Sequence, residues 1–169
     1  MTDESWHALL FGIRKSVRYH ERRAAFFLSL DRINGIVSLS AGAGAVSSAL
    51  SARPDLAAVA GGIVAVSNII NVVVGSSRMA ALHRELRGRF IDLERRVQRA
   101  PKTEEALQEC TDERLRIEQE EPPIVGALEM LCYNEEARAE GNFEHVRRMD
   151  WLHKLLCQVL DYEPKDRPA

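Results

Sequence analysis

Two histidines flank the least polar part of the chain and lie in charged surroundings. His20 is followed by Glu21 and Arg22, and His83 is followed by Arg84. Because an unperturbed imidazole titrates near pH 6.5, this pair is a candidate pH sensor. The alternative is a hydrogen bond between two helices that serves only the fold. The two histidines lack a third ligand at metal-ligand spacing, so we expect no metal site.

Side-chain amides and hydroxyls interrupt two otherwise apolar segments. Asn68 and Asn71 are three residues apart beside Ser67, and Asn34 precedes Ser38 by one helical turn. Amides inside lipid are disfavoured unless they are hydrogen-bonded or hydrated. These side chains are therefore expected either to join neighbouring helices or to line a water-filled pore.

The sequence contains side chains that could act as a nucleophile and its base, but their spacing does not indicate a catalytic site. Cys132 lies near Glu135, and His145 or His153 could be its base, but chance placement explains these positions equally well. The glycine pairs lie in uncharged segments without the lysine that a phosphate-binding loop needs. We expect no catalytic residue, no cofactor and no enzymatic activity. The widely spaced cysteines indicate reduced, buried thiols in a cytosolic region, and they are Cys110, Cys132 and Cys157.

The segments that must position these groups are two uncharged windows. Residues 33–52 and 56–77 contain no Asp, Glu, Lys, Arg or His, and they are 20 and 22 residues long. About 20 apolar residues span a hydrocarbon core as a helix. The connecting residues 53–55 contain a proline and two charges, which favours a turn. The sequence predicts an all-α fold with a two-helix transmembrane hairpin, and the alternative is a hairpin buried in a soluble core.

Small residues recur at four-residue intervals along both windows. Such rows allow helix backbones to approach closely in lipid. Because two helices per chain leave much of this surface uncovered, we expect a homo-oligomer. The predicted helix-packing residues are Ser40, Gly44 and Ser48 on the first window and Ala57, Gly61 and Ala65 on the second.

Charge is divided unevenly around the windows. Residues 1–99 hold 14 Lys and Arg against 8 Asp and Glu, whereas residues 100–169 hold 9 against 17. Arginines flank both windows on one predicted side, Arg32 before the first and Arg78 after the second, and with His20 and His83 these are candidate gating residues. By the excess of basic residues in cytoplasmic flanks, both termini should be in the cytoplasm. The basic residues border a membrane span, so we expect no nucleic-acid partner.

The remaining segments predict helices outside the membrane. Residues 1–32 form an expected amphipathic, basic juxtamembrane helix, helical from residue 6. Residues 78–161 form an expected cytoplasmic helical region that continues the second span without a break. In it Thr103 caps a helix that ends near Glu121, the next helix runs from Pro122 to Glu140, and a final helix begins at residue 143. Residues 162–169 are an expected flexible tail. The acidic helices either pack as a bundle or dock a separate sensor or activator protein.

Several short motifs follow one another along the chain. They are Tyr19-His20-Glu21-Arg22-Arg23, the Gly/Ala/Ser-rich hairpin, His83-Arg84-Glu85-Leu86 with Phe90 and Leu93, Pro122-Pro123, and Cys132-Tyr133-Asn134-Glu135 running to Gly141. In this order and spacing, they resemble the SLATT domain family over roughly residues 5–160. This family is a bacterial effector domain with two transmembrane helices that accompanies nucleotide-second-messenger systems.

The resemblance implies a pore-forming or membrane-disrupting effector of a bacterial defence or conflict system, acting in abortive infection. Its location would be the bacterial inner membrane, and its partners would be the lipid bilayer, other copies of itself and a separate activator. The alternative is a non-conducting membrane-anchored adaptor whose acidic helical bundle recruits a partner. A third interpretation is a soluble helical bundle.

Overall fold

The computed structural model describes residues 3–51 and 53–159, and it is all-helical over these ranges, without a strand. The predicted all-α class is confirmed. The helices, in chain order, are α1 (Asp3–Leu50), α2 (Pro54–Val74), α3 (Ser76–Arg99), α4 (Glu104–Glu118), α5 (Gly126–Ala139), a 3-10 turn (Phe143–His145) and α6 (Trp151–Leu156).

Helix α1 does not stop where the uncharged window begins. One helix of 48 residues, Asp3–Leu50, contains residues 3–32 of the predicted juxtamembrane segment and residues 33–50 of the first window. The segment contains no proline, and its glycines at 35, 42 and 44 have helical backbone angles, so nothing breaks the hydrogen-bond ladder. The link to α2 is shifted from the predicted 53–55, because Pro54 already occupies the first turn of α2, where its missing N–H costs nothing.

A single residue separates α2 from α3, where an unbroken helix was predicted. Gly75 adopts the left-handed conformation with φ of 60°, and its N–H donates to the Asn71 carbonyl. This geometry is typical of a glycine that terminates a helix. The chain then resumes helical geometry at once, and the Met79 N–H donates to the Gly75 carbonyl.

The acidic half follows the sequence prediction at its start and departs from it later. Thr103 caps α4 as predicted, with its hydroxyl oxygen accepting from the Ala106 N–H at 3.3 Å. Helix α4 ends at Glu118, and residues 121–125 are not helical, so α5 begins at Gly126 and not at the proline pair. The Val125 N–H, directly before α5, donates to Tyr19 Oη. The predicted last helix is reduced to the 3-10 turn and α6; its end, and the predicted tail 162–169, lie outside the described residues.

The chain divides into two compact units. We call Met1–Arg23 with His83–Ala169 the helical bundle, and Ala24–Leu82 the apolar unit. The bundle has an ordinary hydrophobic core. One face of α3, where apolar residues recur every three or four positions, supplies much of it through Leu86, Phe90, Leu93 and Val97. The largest side chains buried beside them include Ile13, Ile117 and Leu128.

The apolar unit has the opposite character. No residue of α2 is buried, and one stretch of the described chain, Pro54–Arg99, is long and apolar enough to cross a membrane by length and composition. Its described buried side chains lie near the charged ends of the windows and are Ala24, Phe27, Ser76 and Ala80.

Candidate functional site

Hydrogen bonds join the polar side chains of the two windows within the apolar unit. The Ser67 hydroxyl donates to Asn34 Oδ1 at 2.7 Å, and the Ser38 hydroxyl lies 3.4 Å from Asn68 Oδ1. Asn34, Ser38 and Ser67 are half-buried, whereas Asn68 remains exposed. Four of the polar groups singled out in the sequence therefore meet in one seam between α1 and α2.

Asn71 has a different environment from the other amides. Its side chain is half-buried, and its backbone carbonyl accepts the hydrogen bond that ends α2 at Gly75. Asn71 lies one helical turn beyond Asn68 on the face that also carries Ser67. Among the amides considered, Asn68 is thus the most accessible to solvent.

The predicted small-residue rows are divided between covered and uncovered faces. Ser48 and Ala57 are half-buried, and so are Ala41 and Ala45 of the neighbouring row on α1. The other four predicted packing residues are exposed, and they are Ser40, Gly44, Gly61 and Ala65. A Cβ atom added at either glycine meets nothing within 4 Å. Part of each row is therefore free to contact another helix.

A broad apolar surface surrounds the polar seam. Nine of the ten large apolar residues of α2 are exposed, and Val72 and Val73 reach 82% and 79% exposure. Soluble monomers rarely expose contiguous apolar patches of this extent. On α1 the exposed members of this surface are Ile33, Ile36, Leu39 and Val46.

Charged groups border the apolar surface at one end. The Ser77 hydroxyl lies 3.4 Å from Asp31 Oδ2, which links the start of α3 to α1. Arg32 and Arg78, the predicted gating residues, are both exposed. Basic side chains in this position suit contact with phosphate headgroups.

The two predicted histidines meet in the core of the bundle. Both side chains are fully buried, and their Nδ1 atoms lie 2.8 Å apart. His20 Nε2 lies 3.1 Å from the Glu121 carboxylate, and the Phe90 ring stacks on His20 with a centroid distance of 5.5 Å. Tyr19 contacts both imidazoles edge-on. This contact joins two helices, as one of the two sequence hypotheses for these histidines requires.

The geometry fixes the protons on these rings. A carboxylate only accepts, so the His20 Nε2 atom carries a hydrogen and donates to Glu121. In the neutral His20 ring Nδ1 is then an acceptor, and His83 Nδ1–H donates to it. Two protonated rings would point N–H groups at each other, so the pair holds at most one positive charge. Burial, reinforced by the nearby His20 and Arg23, lowers the pKa of His83 to about 4.

Ion pairs connect α1 to the acidic helix α5. The basic residues at positions 14, 15, 18 and 22 of α1 share one helical face. Arg18 Nε lies 2.6 Å from the carboxylate of Glu136, which is 2% exposed. The other pairs are Arg14 with Glu94 of α3 and Glu140, Lys15 with Glu129, and Arg22 with Glu135. These carboxylates are engaged within the bundle, which supports the packing interpretation of the acidic helices over docking at this face.

The Cys132-Tyr133-Asn134-Glu135 motif also serves the fold. Cys132 is buried, and desolvation raises its pKa to about 12, so the thiol is not a ready nucleophile. Tyr133 packs edge-on against Phe11. Asn134 donates to the Arg147 carbonyl at 2.8 Å and accepts from the Arg147 N–H at 2.7 Å. The motif thereby anchors the chain between α5 and α6.

Sequence reasoning missed the residues that act over long separations. Glu121 was expected to end a helix, and instead it binds His20. Tyr19 Oη accepts from the Val125 N–H at 3.0 Å, which the sequence did not indicate. The Arg14, Arg18 and Arg22 spacing was a usable signal, because a basic stripe at i, i+4, i+8 calls for an acidic partner helix as readily as for a lipid surface.

Comparison with known proteins returns no relative of this chain. No family model matches it, and no curated protein or solved structure is significantly similar to it.

Proposed function

We propose that this chain is a homo-oligomeric, pore-forming effector that permeabilises the bacterial inner membrane. One observation carries the proposal: α2 is a helix of 21 residues with no buried residue and with nearly all its large apolar side chains exposed. A bilayer removes such a surface from water, at about 25 cal/mol for each square ångström. The length of α2 suits the roughly 20 residues that cross a hydrocarbon core.

The first window is the proposed second span of a transmembrane hairpin. It is poorer in large apolar residues than α2, so it gains less from lipid and is better placed against other helices. Hydrogen bonds from Ser67 to Asn34 and from Ser38 to Asn68 support pairing of the two spans within a chain. The basic flanks at Arg32 and Arg78 favour an orientation with both termini in the cytoplasm.

Oligomerisation follows in this proposal from the uncovered small residues. Ser40 and Gly44 on one span, and Gly61 and Ala65 on the other, are exposed within one chain. Contact with further copies covers them and encloses the exposed amide of Asn68. The role in defence and the need for an activating signal rest on the SLATT resemblance.

A non-conducting adaptor is the second candidate, and the polar seam favours it. Two of the amides that were candidates for pore lining, Asn34 and Asn68, already have hydroxyl partners in the same chain. Hydrogen-bonded in this way, they act as interhelical contacts of about 0.6 kcal/mol each. An adaptor would use the hairpin for attachment and the bundle to recruit a partner.

Single-channel recording in planar bilayers separates the two candidates. The pore predicts stepwise conductance from the purified oligomer, and Asn68→Leu changes its amplitude because the amide is exposed towards the conducting path. Val72→Leu, at a more exposed apolar position, is the matched control and leaves the amplitude unchanged. An assembled oligomer without steps supports the adaptor, and unchanged conductance in Asn68→Leu removes Asn68 from the pore lining.

Membrane insertion itself is tested by a carbonate wash of cell membranes. An integral hairpin stays in the pellet. Release of the protein into the supernatant would overturn both candidates and favour a soluble helical bundle.

A further inference from the structure

The strongest feature that the proposed function leaves unused is an exposed apolar face at the C-terminal end of the described bundle. Trp151 and Leu155 are one helical turn apart on α6 and are 74% and 68% exposed. Val159 follows in the terminal turn with 68% exposure, and Phe143 is exposed on the preceding 3-10 turn.

Contacts with the core of the bundle hold the opposite side of this segment in place. Cys157 is 3% exposed and belongs to the core cluster formed with Tyr19 and Leu131. Asn134 fixes the backbone at Arg147, four residues before Trp151. A segment anchored on one side and apolar on the other presents a preformed surface, which saves the ordering cost of binding.

The segment that carries this face has a slight excess of basic side chains. Residues 143–159 carry three Lys and Arg against two Asp and Glu, whereas residues 100–142 carry four against twelve. Arg147, Arg148 and Lys154 are all exposed. Tryptophan beside apolar and basic residues is the composition of segments at the interface of an anionic bilayer.

We infer that residues 143–159 form a contact surface for anionic phospholipids, separate from the transmembrane spans. The inference rests on the proposed insertion of the apolar unit. Arg23 Nη1 donates to the Gln158 carbonyl at 2.8 Å, which holds the segment against α1 within the bundle.

Tryptophan fluorescence provides a direct test, because the chain has only two tryptophans. Trp6 is 4% exposed and Trp151 is 74% exposed. The full-length protein is reconstituted into phosphatidylethanolamine vesicles with and without phosphatidylglycerol, containing lipids brominated near the headgroup. The difference in emission between the wild type and Trp151→Phe gives the contribution of Trp151. We expect at least about a twofold loss of Trp151 emission in anionic vesicles and protection from aqueous acrylamide, as for an interfacial indole.

Charge reversal supplies the matched control. Arg148→Glu with Lys154→Glu removes the bromolipid quenching, whereas Arg95→Glu with Arg116→Glu, two exposed basic residues outside the segment, retains it. Bromolipid quenching that is equal with and without phosphatidylglycerol contradicts an anionic-lipid surface. Quenching that persists in the Arg148→Glu, Lys154→Glu variant contradicts it as well.

The remaining outcomes separate this inference from the proposed function. In the first outcome, the protein floats with vesicles and resists carbonate, but acrylamide still quenches Trp151. This result overturns the inferred lipid contact of residues 143–159 and leaves the proposed membrane insertion intact. Acrylamide protection without bromolipid quenching assigns the face to a second copy or to the protein's own tail, and also overturns the inferred lipid contact. Protein that fails to float overturns the proposed function together with this inference.

Discussion

His83 Nδ1 and His20 Nδ1 lie 2.8 Å apart in the core of the bundle and join α3 to α1 across 63 positions of the chain. The hydrogen bond needs one donor and one acceptor, so it forms only while the pair holds at most one extra proton. Glu121 completes the cluster by accepting from His20 Nε2. The two sequence hypotheses for these histidines are therefore linked, because the bond that stabilises the fold is also sensitive to acid.

The pH dependence of stability tests this cluster. Folding lowers the pKa of His83 from 6.5 to about 4, so between these values the unfolded chain binds a proton that the folded chain does not. The contribution of His83 to the free energy of unfolding is constant above pH 6.5. It falls by up to about 3 kcal/mol as the pH drops towards 4. Thermal unfolding in detergent, followed by circular dichroism, measures it.

His83→Gln keeps an amide donor for His20 and removes the titration, so we expect a flatter stability profile between pH 4 and 6.5. His145→Gln changes an exposed histidine and keeps the wild-type profile. An unchanged profile in His83→Gln contradicts the assignment.

The Arg18–Glu136 pair gives a prediction about packing. Arg18→Met leaves the carboxylate of Glu136, which is 2% exposed, without its cation and costs about 2 kcal/mol of unfolding free energy, moderated because Arg18 is partly exposed. Adding Glu136→Met recovers most of the loss, since an apolar pair removes the unpaired charge. Asp92→Ala, in the exposed pair with Arg95, changes stability by less than about 0.5 kcal/mol. Equal losses in Arg18→Met and Asp92→Ala would argue against the buried pair.

Asn134 is predicted to control the segment before α6. Asn134→Ala removes both hydrogen bonds to the Arg147 backbone and costs about 2 kcal/mol, because the N–H and the carbonyl of Arg147 both lose their partner. Trypsin then cleaves after Arg147 and Arg148 faster than in the wild type. Asn142→Ala, at an exposed position, leaves the cleavage rate unchanged. Cleavage that is insensitive to Asn134 would show that other contacts hold the segment.

Gly75 is predicted to be intolerant of a side chain for conformational reasons alone. A Cβ atom there meets nothing within 4 Å, but φ of 60° costs an alanine about 1 kcal/mol. Gly75→Ala lowers the unfolding temperature in detergent, and Gly75→Asn lowers it less. Gly62→Ala lies in a regular helix with open space and leaves it unchanged or slightly raised. A neutral Gly75→Ala would mean that α2 and α3 form one helix, as the sequence predicts.

Local signals predicted the parts of the fold that depend on neighbours in sequence. The steps of four, three and four residues between Leu86, Phe90, Leu93 and Val97 indicate the buried face of α3. Thr103 indicates the start of α4, and each of these signals acts within one or two helical turns. The start of α5 and the shortening of the last helix were not predictable in this way. Tyr19 binds the Val125 N–H, and Asn134 binds the Arg147 backbone, so residues far away in the chain decide where these helices form.

The sequence predicted which residues belong to the candidate site better than it predicted their partners. The pairing of His20 with His83 and a contact between the two windows were among the expectations, because of the residue types and their positions along the chain. Their partners, Glu121 in the bundle and Ser67 for Asn34, depend on helix rotation, which periodicity alone does not determine.

Membrane potential in cells tests the central claim most directly. The protein is induced in bacteria carrying a potential-sensitive dye, beside an Ile63→Arg variant in which a charge at an exposed position near the middle of α2 disfavours insertion by about 3 kcal/mol. We expect rapid depolarisation with the wild-type chain and a maintained potential with Ile63→Arg at equal expression. An intact potential while the wild-type protein is present in the carbonate-washed membrane fraction would contradict a pore-forming effector.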